Sequence, residues 1–171
     1  MKKYIKLVIV VVLISTIGFL GYSITKKIND KAEVAKRIKS IPKFSFLTLE
    51  GKVFTSKNLA KDTYKLFVYF NSECEYCQTE ALQISKNLEE FKDTQLIFVS
   101  FEPVKSIKQF SINFNLQDKK KVLFLQDKKV EFAEIFDAKS IPFMLLYAKN
   151  NQLIKIYKGA TKVERILKLL Y

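Results

Sequence analysis

A three-layer α/β domain with a mixed central sheet, preceded by an N-terminal transmembrane helix, is the fold the sequence predicts, and three observations carry it. From Pro42 onward, strand-like and helix-like segments alternate and end in a hairpin and a helix, the order that builds a sheet covered on both faces. The chain has 171 residues, 49% of them hydrophobic, with 15 Phe and 8 Tyr. That suits one well-filled core rather than two packed domains. The run from Leu7 to Thr25 is uncharged, dominated by Leu, Ile and Val, and bracketed by Lys6 and Lys26. At about 1.5 Å per residue, a helix of that run nearly spans a hydrocarbon core roughly 30 Å thick.

The N-terminal run lacks an amphipathic stripe, exceeds the usual apolar core of a cleaved leader, and is followed by no clear small-residue cleavage site. An uncleaved anchor in the lipid bilayer is therefore expected over residues 7–25, with residues 1–6 a short cytoplasmic tail. Residues 26–40 read as a stalk helix or tether and residues 41–171 as the folded domain. Lysines flank both ends of the span, so the positive-inside rule has little asymmetry to act on. The short tail starting Met1-Lys2-Lys3 favours an inner-membrane, single-pass topology with the N-terminus inside and the domain extracytoplasmic or periplasmic.

Within the domain, Phe44, Phe46, the Glu50-Gly51 turn, Val53 and Phe54 predict a hairpin, and Lys65 to Phe70 a buried strand. Glu75 to Phe91 predicts a helix, because Cys77, Ala81, Ile84, Leu88 and Phe91 recur at spacings that form one apolar stripe. Leu96 to Phe101 reads as a strand, Ser106 to Phe114 as a helix, Val122 to Leu125 as a strand and Val130 to Phe136 as a short helix. Phe143 to Ala148 and Leu153 to Tyr157 flank an Asn150-Asn151 turn, and Val163 to Leu170 closes as an amphipathic helix.

The net charge of +13 invites an anionic partner, yet a large share of it sits in the N-terminal segment. The longest cationic run, Lys119-Lys120-Lys121, followed by Lys128 and Lys129, has no interleaved aromatics and no phosphate-cradling glycine loop. It reads as a solvated face, and no nucleic-acid partner is expected. With no His and two Cys, the chain excludes the commonest metal ligand, the commonest acid/base catalyst and a four-thiolate zinc site within one chain. No metal or cofactor is expected beyond a redox-active Cys74-Cys77 disulfide.

Chemistry therefore falls on Cys74-Glu75-Tyr76-Cys77, which follows a buried strand and opens a helix. Unpaired amide N–H groups and the helix dipole stabilise a thiolate at that place, and two thiols two residues apart can alternate between dithiol and disulfide. Cys74 is expected to be the exposed attacking thiol. Cys77, on the apolar stripe, is expected to be the shielded resolving one. Glu80 lies one turn beyond Cys77, where it can shuttle a proton or simply be solvated.

These residues resemble the membrane-anchored TlpA/ResA-like redoxins among the thioredoxin-fold thiol-disulfide oxidoreductases. The resemblance covers about residues 41–170. It rests on Ile41-Pro42-Lys43-Phe44, the Glu50-Gly51-Lys52 turn, the strand into Cys74-Glu75-Tyr76-Cys77, Glu80, and Ser140-Ile141-Pro142. It implies a cis Pro142, with Ile141 offering backbone to an extended substrate. Glu75 and Tyr76, between the sulfurs, belong with Ile141 and Pro142 in the expected substrate contact. It also implies an inserted helix and strand, placed at Ser106 to Leu125.

The chain departs from the pattern at Glu73 where an aromatic is common, at Tyr76 where Pro is common, and at Val68 where thioredoxins keep a buried Asp. Glu73 and Glu75 oppose a thiolate electrostatically, so a reducing poise is expected. The expected activity is a protein-disulfide reductase acting on exported proteins and regenerated by a membrane electron donor.

Three other classes are weighed. A peroxiredoxin needs Thr or Ser three residues before its Cys and Pro four further back, whereas Cys74 is preceded there by Asn71 and Phe67. A copper-delivery protein needs a His beside its thiols. A membrane-tethered, non-enzymatic binding module with a structural disulfide is the alternative that survives.

Overall fold

The computed structural model describes residues 2–171, and in helix α1 (Lys2–Ile38) it describes the side chains of Tyr4 and of Ser15 onward. The chain divides into two compact units, Met1–Arg37 and Ile38–Tyr171. The first is the body of α1. Of the span expected over residues 7–25, the side chains of 7–14 lie outside the described residues. Among those described, no helix is long and apolar enough to cross a membrane.

The second unit is a seven-stranded mixed sheet in the order β2-β1-β5-β4-β3-β6-β7. Its elements are β1 (Ser45–Thr48), β2 (Val53–Thr55), β3 (Tyr64–Tyr69), α2 (Glu75–Lys86), β4 (Thr94–Ser100), α3 (Val104–Asn113), β5 (Val122–Gln126), α4 (Phe132–Phe136), β6 (Phe143–Tyr147), β7 (Leu153–Lys158) and α5 (Val163–Leu167). The β1–β2 hairpin turns at Gly51, whose φ of +80° is a region open to glycine at no steric cost. Strands β3, β4 and β5 are parallel, and β6 and β7 continue the sheet antiparallel on the other side of β3. The α3–β5 pair places β5 between β4 and β1, so the inserted segment is an integral part of the sheet.

Alternation along β3 sorts its side chains by face. Leu66, Val68 and Phe70 join one core with Ala81 and Ile84 of α2, Ile107 and Phe110 of α3, and Val163 and Ile166 of α5. Phe67 and Tyr69 point the other way, into the rings of α4 and of Phe44, the residue before β1. From Leu66 to Tyr69 this interior strand is therefore hydrophobic, as burial on both sides requires.

Helix α2 stops at Lys86, short of the expected Phe91, because Asn87 leaves helical geometry and its side-chain amide donates to the Gln83 carbonyl. A 3₁₀ turn at Leu88–Glu90 carries the stripe on, so Leu88 and Phe91 are buried as expected. Lys121, from the cationic run, donates to the Leu88 and Phe91 carbonyls at 3.3 Å each and so closes that turn. Lys39 and Ser40, at the end of the expected tether, pair with the β7 edge. The Lys39 carbonyl accepts from Leu153 N–H at 2.9 Å, and Ser40 bridges to Gln152.

Candidate active site

The chain leaves β3 into a short turn, Asn71–Glu73, that delivers Cys74 to the head of α2. The Asn71 side-chain oxygen accepts from Glu73 N–H at 2.9 Å, and its carbonyl accepts from Cys74 N–H at 3.2 Å. Cys74 is the N-cap of α2. Its sulfur takes the place a Ser or Asp oxygen takes at other helix starts, accepting the Cys77 N–H at 3.3 Å. The helix dipole and the unpaired amides of the first turn thus converge on this sulfur.

The two thiols are both free and differ in access: Cys74 is half-buried, while Cys77 is 2% exposed. Burial holds the Cys77 thiol well above its usual range, the hydrogen bond with Cys74 adds to this, and the Asn71 backbone only partly opposes it. Cys77 therefore stays protonated until its environment changes. Val68, at the position where an acid was absent, packs in the same apolar cluster as Cys77.

Glu80 is fully buried, where an ordinary helical Glu would be solvated. With Cys77, Ala81 and Ile84 it shares the buried face of α2 at i, i+3, i+4, i+7 spacing. One oxygen accepts the Thr161 N–H at 2.8 Å, and the other has no hydrogen-bond partner among the described residues. Burial pushes its pKa up to about 7, the Thr161 amide pulling the other way. A carboxyl so placed takes up and gives back a proton near neutrality.

Glu75 and Tyr76 are both exposed, Tyr76 to 69%. The Ile141–Pro142 peptide bond is cis, Pro142 is buried, and its carbonyl accepts from Gly159 N–H at 2.8 Å. Ile141 is half-buried and, like Cys74, packs against the apolar cluster that holds Cys77. The structure thus brings Cys74, Cys77 and Glu80 onto one helix, with Ile141 against the same core.

The sequence reading missed the groups that hold this arrangement. Thr161 and Gln83 are two: Gln83 accepts from Val163 N–H at 3.2 Å, tying α2 to the start of α5. Ser72, Gln78 and Glu102 are the others, joined by hydrogen bonds across the loops at the strand ends. No periodicity marks them, because their partners lie far away in sequence. Among the described residues, no group of three or more Cys, Asp or Glu is placed to hold a metal ion.

A secreted Mycobacterium tuberculosis disulfide oxidoreductase described as homologous to E. coli DsbE superposes with a TM-score of 0.63 at 16% identity, over 79% of this chain and 96% of its own. A thioredoxin-like protein from Aeropyrum pernix gives 0.61 at 18% identity, over 85% and 98%. StoA from Bacillus subtilis gives 0.58 at 18% identity, over 75% and 97%. At such identities the likeness shows the fold, which is thioredoxin-like. No curated protein sequence matches. The AhpC/TSA family profile matches residues 38–166, the whole sheet with its covering helices through most of α5. Redoxins of this kind usually use no cofactor. With a thioredoxin-like fold and a family match across most of its length, the chain belongs to the AhpC/TSA family of redoxins.

Proposed function

We propose that the chain is a membrane-anchored, extracytoplasmic thiol-disulfide oxidoreductase that reduces disulfides of exported proteins. One observation carries the reading: an accessible sulfur, Cys74, caps a helix directly above a buried thiol, Cys77, and a buried carboxyl, Glu80. The Cys74 thiolate attacks one sulfur of a substrate disulfide, forming a mixed disulfide and releasing the other substrate sulfur as a thiolate, which takes up a proton. Cys77 then loses its proton and attacks the Cys74 sulfur. The Cys74–Cys77 disulfide forms, the second substrate thiol departs, and the substrate gains the two electrons the pair has lost.

Glu80, near its midpoint at neutral pH, is the group on the same helix that can take the Cys77 proton. Glu75, Tyr76 and the Ile141–Pro142 segment form the surface for the substrate chain. The name of the M. tuberculosis relative, a secreted disulfide oxidoreductase, agrees with work outside the cytoplasm. The uncharged run Leu7 to Thr25 supports the anchor, and exposed Glu73 and Glu75 beside Cys74 support a reducing poise. A membrane electron donor then returns the disulfide to the dithiol.

The test is trapping. Cys77→Ser is expected to accumulate mixed disulfides through Cys74 with exported proteins, and the parent to reduce insulin. A chain whose disulfide is merely structural traps nothing, an outcome that ends the proposal. Topology is read separately by labelling Cys74 in intact cells with a membrane-impermeant maleimide. Labelling only after lysis would reverse the assigned orientation.

A further inference from the structure

We infer that Glu102 is the positioning residue for Cys74: its carboxylate clamps Ser72 and so holds the turn that presents the sulfur at the head of α2. This rests on the oxidoreductase reading and adds to it a residue outside the cysteine motif. Glu102 lies in the turn that follows β4. One carboxylate oxygen accepts the Ser72 N–H at 2.6 Å and the other accepts the Ser72 hydroxyl at 2.6 Å. The first also accepts the Ser100 hydroxyl at 3.0 Å. Bonds to an ionised acceptor are short and about twice as strong as neutral ones.

The clamp is itself held from two further sides. The Gln126 amide, at the end of the inserted strand β5, donates to the Glu102 carbonyl at 3.0 Å. The Gln78 amide, one residue past Cys77 on α2, donates to the Ser72 carbonyl at 2.8 Å. Two segments thus meet at Ser72, two residues before Cys74: the turn after β4 through Glu102 and α2 through Gln78, with β5 bracing Glu102 through Gln126. Glu102 is half-buried and engaged through side chain and main chain alike, unlike a solvated surface acid.

The chemistry calls for such a hold. Attack on a disulfide needs the incoming sulfur in line with the bond that breaks, and small misplacement of a reacting atom costs up to about a hundredfold in rate. Among the described residues, the other hydrogen bonds to the Asn71–Glu73 turn run within the turn, to Cys74 and from Gln78. A carboxylate suits the position because it meets three donors and brings no donor of its own.

The experiment compares Glu102→Ala, Glu102→Gln and Ser72→Ala in the full chain. Glu102→Ala is expected to slow insulin reduction about tenfold or more, seen in kcat rather than KM, while alkylation of Cys74 by iodoacetamide, a small reagent free to align itself with the sulfur wherever the turn places it, changes less than about twofold. Glu102→Gln is expected to restore most of the rate, since its oxygen can still accept both the Ser72 N–H and the Ser100 hydroxyl while the Ser72 hydroxyl turns to accept from its amide N–H. Ser72→Ala, which removes one arm, is expected to fall between.

Amide hydrogen exchange reads the clamp without any activity: Ser72, Glu73 and Cys74 should exchange faster in Glu102→Ala while β4 and β5 keep their protection. The inference is overturned if Glu102→Ala keeps the parental rate and loop protection, if alkylation slows in step with reduction, or if Glu102→Gln is no better than Glu102→Ala. A parent that cannot reduce insulin overturns the oxidoreductase reading instead, and the exchange data still decide the clamp. Should Glu102→Ala not fold, Ser72→Ala decides by the same two measurements.

Discussion

The two faces of the sheet are both buried and do different work. On the face opposite the cysteine helix, Phe44, Phe46, Phe67, Phe132 and Phe136 form a ring cluster with centroids 4.4 to 6.5 Å apart. Tyr69 stacks on Phe132 at 4.5 Å. The carboxylate on that side, Asp127, is 1% exposed and satisfied at both oxygens by the Glu131 and Phe132 N–H groups, at 2.9 and 2.7 Å. It caps α4 and performs no other task visible in the fold. The face under α2 also buries a carboxyl, Glu80, one helical turn beyond the buried Cys77, but leaves one oxygen without a hydrogen-bond partner among the described residues. One face spends its polar groups on holding a helix in place, whereas the other keeps a proton site incompletely satisfied. That difference separates scaffold from chemistry.

The sharpest break in the comparison comes from the cysteine helix. Cys74→Ser is expected to abolish insulin reduction with little change in the urea midpoint, since a hydroxyl caps a helix at least as well as a thiol. Residual reduction carried by Cys77 alone would contradict the assigned roles. Next in size is the aromatic face. Phe132→Ala removes a fully buried ring with several ring contacts and should cost about 3–5 kcal/mol in chemical denaturation. Its folded fraction should keep the parental rate of Cys74 alkylation.

The two carboxyls then separate by sign. The pKa of Glu80 rises from 4.5 to about 7 on folding. Below 4.5 both folded and unfolded forms carry the proton. Between there and about 7 the unfolded form ionises first, so stability falls with rising pH and levels off above the folded pKa, by up to about 3 kcal/mol. Glu80→Gln should flatten this slope in urea unfolding at pH 5 and 8.5 and raise stability at the higher pH. The same variant should slow release of the Cys77-resolved product and remove a limb near pH 7 from the rate profile. An unchanged pH slope would remove Glu80 as the titrating group. Asp127→Asn should do the reverse, destabilising by about 1–2 kcal/mol at neutral pH without touching exchange, because one of the two backbone N–H groups then faces an amide NH2 that cannot accept.

Much of the domain was legible because its signals are local. The β3 run, the stripe from Cys77 to Phe91, the Glu50-Gly51 turn and the Asn150-Asn151 turn each declare themselves within a few residues, and each is where the pattern places it. The helix end was misjudged because an apolar stripe continues through a 3₁₀ turn as readily as through an α-helix, and only the Asn87 geometry tells the two apart. Glu80 was noticed for its spacing from Cys77, but its burial needed the α5 approach that brings the Thr161 amide over it. Glu102 carried no local signal at all. Ser72 and Gln126, the partners that tie it to the Cys74 turn and to β5, lie 30 and 24 residues away.

The order of strands and helices, the helix-start placement of the two sulfurs and the greater shielding of Cys77 were determined by the sequence alone, because hydrophobic period and capping act over one or two turns of chain. Which acids are buried, which stay half-satisfied and which hold the Cys74 turn were decided only by the tertiary structure. Desolvation and hydrogen-bond geometry depend on what the other strands bring within about 3 Å, and no pattern along a single segment contains that distance.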